Sequence, residues 1–260
     1  MSGELVLVVA VVGLCASFLS GLLGIGGGIV AAPALLYIPP LLGAGELDMR
    51  AVAGLTITQG LAACLFAGLR HHRYRFVSRP LVTLMGPTIL VASLAGSILS
   101  RSVGNDVLLA VFAGLALVAA ALMLFHRRDA DIVAAAEDVV FSRRRAVAIA
   151  VSIGFLGGLV GQGGSFIIIP LMLYVLRLPT RVVIGSNLGV VFFASLAGFI
   201  GKAATGQVLP LLAVALVVGA IPGSQLGSYV SKRTKPEKLR FALAVLIALA
   251  ALKMCAEAVR

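Results

Sequence analysis

The chain has 260 residues, of which 60% are hydrophobic and only 12% carry a charge, and its mean hydropathy is +1.12. A water-soluble domain cannot bury that much apolar surface, so the composition indicates a membrane protein with several spans. The net charge of +11 does not indicate nucleic-acid binding, because the basic residues lie in short connections between apolar segments.

Ten apolar segments predict an all-α polytopic membrane protein. They cover residues 5–22, 29–42, 51–69, 80–99, 106–125, 145–160, 166–176, 182–200, 208–230 and 238–256. Most approach the roughly 20 residues that a helix needs to cross a bilayer. Segments two and seven are too short for a full crossing at about 1.5 Å per residue. A glycine run joins each of them to the preceding segment, so we expect broken or re-entrant helices there. Whether 29–42 and 166–176 cross or re-enter is left open.

The two glycine runs are the first candidate site. The first run contains Gly24, Gly26, Gly27 and Gly28, and the second contains Gly161, Gln162, Gly163, Gly164 and Ser165. Glycine disfavours a helix by roughly 1 kcal/mol per residue, so both runs interrupt helices. Backbone N–H groups at the start of the next helix form an anion site that needs no charged side chain. The alternative is that the glycines only permit close helix packing.

Polar residues in segments three and eight are further candidates for lining a substrate. Thr56 and Gln59 lie in segment three, and Ser186 and Asn187 lie in segment eight. The alternative role for these side chains is hydrogen bonding between helices. Gly219, Gly223, Gly227 and Ser231 recur at four-residue spacing in segment nine, which predicts close helix packing.

Charged residues are expected near the ends of the segments. Arg50 and Arg181 begin segments three and eight, where they could attract anions or anchor the helices at the interface. We expect His71 and His72 to be solvated in a basic loop. All ten Asp and Glu residues fall at or near segment ends, which disfavours a cation transporter. The sequence lacks HExxH, GxSxG and metal-ligand spacings, so we expect no enzyme activity, no metal and no cofactor.

The two halves of the chain repeat. A shift of 131 residues aligns Arg50 with Arg181 and Thr56 with Asn187, while a shift of 137 aligns Gly24 with Gly161. The predicted domains are therefore a first membrane repeat, 1–125, a cytoplasmic linker, 126–144, and a second membrane repeat, 145–260. Because each repeat has five segments, the second is expected to be inverted, which places a transport site near the midplane at the repeat interface.

The distribution of lysine and arginine predicts the orientation. Most of the 21 basic residues fall in the connections that follow segments three, five, seven and nine. The side richer in basic residues is normally cytoplasmic. Both termini are then expected outside, with the protein in the plasma membrane of a bacterium.

The glycine runs also carry a family resemblance. The pattern Gly-x-Gly-Gly-Gly-x-x-x-x-Pro from Gly24 to Pro33, with its degenerate copy from Gly161 to Pro170, resembles the TauE/SafE sulfite-exporter family (TSUP). The resemblance extends over nearly the whole chain. It implies an inner-membrane permease for small anions such as sulfite, thiosulfate, sulfoacetate or other sulfonates. The second copy departs from the pattern at Gln162 and Ser165, so the two runs are not expected to contribute equally.

We therefore expect export of a small anion by alternating access, with the anion and the lipid bilayer as partners. The alternatives are a channel, a permease for another small organic anion, and an accessory membrane subunit that transports nothing. The sequence does not determine the anion, the coupling ion or the oligomeric state. A homodimer is one option for that state.

Overall fold

A computed structural model describes residues 3–26, 28–73, 76–124, 139–161, 164–235, 237–239, 241–246 and 249. Secondary structure in this part of the chain is helical, with no strand. The helices are α1 (Gly3–Leu23), α2 (Gly28–Leu41), α3 (Met49–Arg73), α4 (Arg79–Leu99), α5 (Asn105–Leu124), α6 (Arg143–Val160), α7 (Ser165–Tyr174), α8 (Thr180–Ala204) and α9 (Pro210–Arg233), with a 3-10 turn at Ser100–Ser102.

These helices match the first nine predicted segments closely. Six of them, α1, α3, α4, α5, α8 and α9, are long and apolar enough to cross a membrane. The helices α2 and α7 are shorter, with 14 and 10 residues, as the sequence predicts. Residues 238–239 and 241–246 of the tenth segment are helical, but most of that segment and most of the predicted linker lie outside the described residues.

The centre of the molecule is formed by α3 and α8, which pack against each other. About 72% of the apolar stretch of α3 and 67% of that of α8 is buried, against 33% for α5 at the periphery. Two tightly packed helix pairs, α1 with α9 and α4 with α6, flank this centre.

Small residues determine how closely those flanking helices approach. A Cβ atom added at Gly219, Gly223 or Gly227 of α9 would collide with backbone atoms of α1. Gly96 of α4 meets the backbone of α6 at Phe155 in the same way. The packing role predicted for the small-residue spacing in α9 is confirmed.

One expectation about a titratable residue was wrong, and a second buried basic residue was not singled out. His71 is 1% exposed at the end of α3, where Nε2 lies 3.1 Å from the carbonyl oxygen of Gly21, so it is not solvated. Lys202 lies two residues after the end of predicted segment eight, but it is fully buried because α8 continues to Ala204. In both cases the apolar segment ended before the helix did.

Candidate functional site between the two glycine runs

Both glycine runs lie where one helix ends and the next begins. The helix α1 ends at Leu23 and α2 begins at Gly28, while α6 ends at Val160 and α7 begins at Ser165. Gly24, Gly26, Gly161 and Gly164 have φ angles of 72°, 67°, 78° and 68°. Other L-residues are strained in this left-handed region, so the breaks depend on glycine. The predicted site residues Gly27, Gln162 and Gly163 lie outside the described residues.

The two runs touch each other in the interior. The Ser165 hydroxyl, at the first residue of α7, donates a hydrogen bond to the carbonyl oxygen of Ile25. A Cβ atom added at Gly26 would lie 3.0 Å from Ser165 Oγ and 3.3 Å from a methyl carbon of Val191 in α8. Two segments far apart in sequence thus meet beside the central helix pair. Gly28 is buried at the start of α2, close to this contact in the chain.

Each central helix holds the glycine run of the opposite half of the chain. Thr56 Oγ1 of α3 donates to the carbonyl oxygen of Gly161 at 2.9 Å. Asn187 Nδ2 of α8 donates to the carbonyl oxygen of Gly24 at 2.6 Å. These donors occupy positions aligned by the 131-residue shift, and the acceptors occupy positions aligned by the 137-residue shift.

Backbone contacts also join each central helix to the glycine run of the opposite half. A Cβ atom added at Gly24 would lie 2.7 Å from the carbonyl oxygen of Ile184, and one added at Gly161 would collide with the carbonyl of Ala53. Ile184 and Ala53 are again 131 residues apart. Glycine at both positions lets the run lie directly against the backbone of a central helix.

Several predicted site residues therefore use their donors to hold the runs in place. The Thr56 hydroxyl also lies 2.9 Å from the carbonyl oxygen of Val52, so it is fully engaged with backbone oxygens. Ser186 lies elsewhere, because its Oγ accepts a hydrogen bond from the backbone N–H of Ser78, just before α4, at 2.8 Å. Ser186 is thus tied to the α3–α4 connection.

Other polar groups near the runs have unused hydrogen-bonding capacity. Gln59 Nε2 donates to the Ser17 hydroxyl at 2.8 Å, and Gln59 Oε1 is buried without a partner. Because a hydroxyl can donate or accept, the Gln59 amide can turn and present its NH₂ group instead. The Oδ1 atom of Asn187 is also buried without a partner.

Two serine hydroxyls that the sequence analysis did not single out belong to this set. Ser195 Oγ and Ser20 Oγ are both buried without a hydrogen-bond partner. A Cβ atom added at Gly60 of α3 would lie 3.2 Å from Ser195 Oγ and 3.5 Å from the carbonyl oxygen of Gly26. The signal was present in the spacing, because Ser195 follows Asn187 by eight residues, about two helical turns.

Acidic and basic side chains are distributed differently around this region. The described carboxylates of Glu4, Glu46, Asp48, Asp106 and Glu237 are all exposed. Arg50, half-buried at the start of α3, donates from Nη2 to the carbonyl oxygen of Val103 at 3.0 Å. Arg181, half-buried at the start of α8, lies 5.3 Å from the ring centroid of Phe76. Within the described residues, no group of three His, Cys, Asp or Glu side chains could hold a metal ion.

The comparisons of this chain with a family model and with curated proteins agree with one another. A family model described as "Sulfite exporter TauE/SafE" matches residues 9–254. The "Probable membrane transporter protein YunE" of Bacillus subtilis is 24% identical over 97% of this chain and 98% of its own length. A "Probable membrane transporter protein" of Xylella fastidiosa is 29% identical over 85% of this chain and 83% of its own. No solved structure matches the chain.

Proposed function

Because the chain belongs to the TauE/SafE sulfite exporter family and is thus a multi-pass membrane transporter rather than an enzyme, we propose that its substrate is a small anion containing sulfur. Sulfite, thiosulfate, sulfoacetate and related sulfonates are the candidates, and export is the proposed direction. The observation that carries the proposal is the meeting of the two glycine runs beside buried hydroxyl groups that have no partner.

The anion would be held by hydrogen-bond donors without a bound cation or a metal. Helix α2 begins at Gly28 and α7 at Ser165, and the start of a helix favours negative charge. The hydroxyls of Ser20 and Ser195 and the amide of Gln59 would add side-chain donors. Thr56, Asn187 and Ser165 would position the runs by binding their carbonyl oxygens, so that the N–H groups can face the substrate.

Two inverted repeats of five segments would explain the paired contacts. The Thr56–Gly161 and Asn187–Gly24 hydrogen bonds relate corresponding positions of the two halves in a reciprocal manner. The α1–α9 and α4–α6 pairs are related in the same way. Such a reciprocal arrangement supports re-entrant helices α2 and α7 that approach a midplane site from opposite sides.

The reciprocal contacts support the proposal of alternating access. A movement of α3 would displace the second glycine run, and a movement of α8 would displace the first, because each helix holds the run of the other half. Both termini would lie outside the inner membrane of a bacterium. An inside-negative potential of 100 mV favours the exit of each negative charge by about 2.3 kcal/mol, which favours export by a uniporter.

Flux measurements on the purified protein in proteoliposomes test this function. Sulfite, thiosulfate, sulfoacetate and acetate are loaded in separate vesicles, and efflux is recorded with and without an inside-negative potential. We expect a sulfur anion to leave faster than acetate, and the same anion placed outside to accelerate its exit. Flux without this acceleration would indicate a channel, and absence of flux for every anion would contradict the proposal.

A further inference from the structure

Lys202 is a fully buried lysine close to the end of α8, and the site between the glycine runs does not include it. Its Nζ donates to Ser100 Oγ at 2.8 Å, to Gln207 Oε1 at 3.2 Å and to the carbonyl oxygen of Leu159 at 3.3 Å. All three acceptors are neutral. A buried charge without an opposite charge is costly in a protein interior, because neutral dipoles replace its hydration only in part.

A second cationic side chain lies near Lys202. Arg50 Nη2 donates to the carbonyl oxygen of Val103 at 3.0 Å, three residues after Ser100, whose hydroxyl oxygen accepts from Lys202. Arg50 Nε is buried and has no hydrogen-bond partner. The carboxylates in the described part of the chain are exposed, and Lys202 forms no ion pair with them. Among the described residues, the lysine and the arginine therefore form a cationic pair with no carboxylate bound to it.

This pair lies next to the second glycine run. Leu159, whose carbonyl oxygen binds Lys202, precedes Gly161 by two residues. A Cβ atom added at Gly54 of α3 would collide with the carbonyl of Gln207, and one added at Gly161 would collide with the carbonyl of Ala53, one helical turn after Arg50. The first turn of α3 thus carries Arg50 and also contacts the second glycine run.

The corresponding position in the first half of the chain carries a different group. His71 lies 131 residues before Lys202, is also buried, and has Nε2 at 3.1 Å from the carbonyl oxygen of Gly21. Both side chains reach a carbonyl near the end of a helix that precedes a glycine run. A primary amine stands at one end of the central helix pair and an imidazole at the other, so the two ends differ in chemistry.

We propose that Lys202 and Arg50, together with Ser100 and Gln207, form a second anion-binding position for a small oxyanion. This inference rests on the proposed function and places the position between the glycine runs and the non-cytoplasmic side. The oxyanion would accept hydrogen bonds from Lys202 Nζ in place of neutral acceptors. It would also accept a hydrogen bond from Arg50 Nε. The driving force is the attraction between the anion and two positive side chains, which is stronger in a protein interior than in water.

Sulfite binding to charge variants of the full chain tests the inference. Binding is measured in detergent by thermal shift, with sodium sulfite replacing sodium gluconate at constant ionic strength. We expect Lys202→Met to weaken the apparent sulfite affinity at least tenfold, and Lys202→Arg to keep it within threefold. Lys235→Met is the matched control, because Lys235 is exposed and distant in the chain from the site. Should Lys202→Met not fold, Arg50→Met takes its place with the same expectation.

The binding assay, run beside the flux assay on the wild type, separates two kinds of failure. Wild-type affinity in Lys202→Met overturns the second position while sulfur-anion flux by the wild type leaves the proposed function intact. Sulfite binding that depends on Lys202, without flux of any anion, supports the second position and contradicts the proposed function. A wild type that does not bind sulfite and moves none of the anions overturns both.

Discussion

Asn187 Nδ2 donates a 2.6 Å hydrogen bond to the carbonyl oxygen of Gly24, a residue 163 positions earlier in the chain. Thr56 Oγ1 forms the reciprocal contact with Gly161. Together the two bonds connect each central helix to the glycine run of the opposite half. They are the most specific feature that the structure adds to the glycine pattern, and they lead to the first prediction.

Removing either hydrogen bond should impair transport more than folding. We expect Thr56→Val, which keeps the side-chain shape, to lower anion flux at least tenfold. The free energy of unfolding should fall by only about 1–3 kcal/mol, since one buried carbonyl loses its donor. Thr88→Val is the control, because the Thr88 hydroxyl binds only Leu84 of its own helix. Equal flux in both variants would show that the contact with Gly161 has no role in transport.

Asn187→Leu should act like Thr56→Val, and the two changes should not be additive. Both are expected to release a glycine run from a central helix, so the double variant should transport little less than either single variant. Residues that act through one element show coupling energies of about 0.5–3 kcal/mol in a double-mutant cycle. Flux that falls by the product of the two single effects would indicate that the runs act independently.

The left-handed glycines of the runs should tolerate no side chain. Gly161→Ala combines a φ angle of 78° with a collision against the Ala53 carbonyl, so we expect loss of transport and a lower melting temperature. Gly206→Ala is the matched control, since Gly206 has a φ angle of 72° but nothing within 4 Å of an added Cβ atom. The control should lose only the strain energy, about 1–2 kcal/mol. Equal melting temperatures would contradict the close approach to α3.

Ser195 should contribute to anion binding and not to stability. Its buried hydroxyl has no partner in the protein, so Ser195→Ala should leave the melting temperature unchanged or raise it. The KM for the transported anion should increase several-fold. Ser228→Ala serves as the control, because the equally buried Ser228 hydroxyl donates to Ser224 of its own helix. A KM unchanged in Ser195→Ala would remove this residue from the site.

Close packing between α1 and α9 should dominate stability. Gly223→Val would push a branched side chain into the backbone of α1 at Leu14, and we expect a loss of about 3 kcal/mol or failure to accumulate. Gly114→Val of α5 has open space around its added Cβ atom and should be tolerated. Thermal unfolding in detergent measures both variants, and similar melting temperatures would contradict the predicted contact.

The orientation can be measured with single cysteines in a cysteine-free background. Asn105→Cys and Ser142→Cys both place an exposed residue at the end of a helix. The distribution of basic residues predicts labelling of position 105 from outside the cell and of position 142 only after permeabilisation. The opposite pattern would reverse the predicted orientation.

The sequence by itself determined the membrane class, the helix positions and the location of both helix breaks. Apolar length and glycine content are local properties, and local properties can be read along the chain. They predict short helices from residues 29 and 166, and the structure begins these helices one residue earlier, at Gly28 and Ser165. The family also followed from a local pattern, which the match over residues 9–254 establishes independently.

The tertiary structure decided which polar groups are used and which remain available. Thr56, Ser165 and Asn187 were predicted as substrate ligands, but the structure gives their donors to backbone carbonyls of the runs. Burial of Lys202 and His71, and the unpartnered hydroxyls of Ser20 and Ser195, were also not evident. The physical reason is that these hydrogen bonds join residues more than 40 positions apart in the chain. Such contacts depend on how the helices pack, and the order of residues within one helix does not show them.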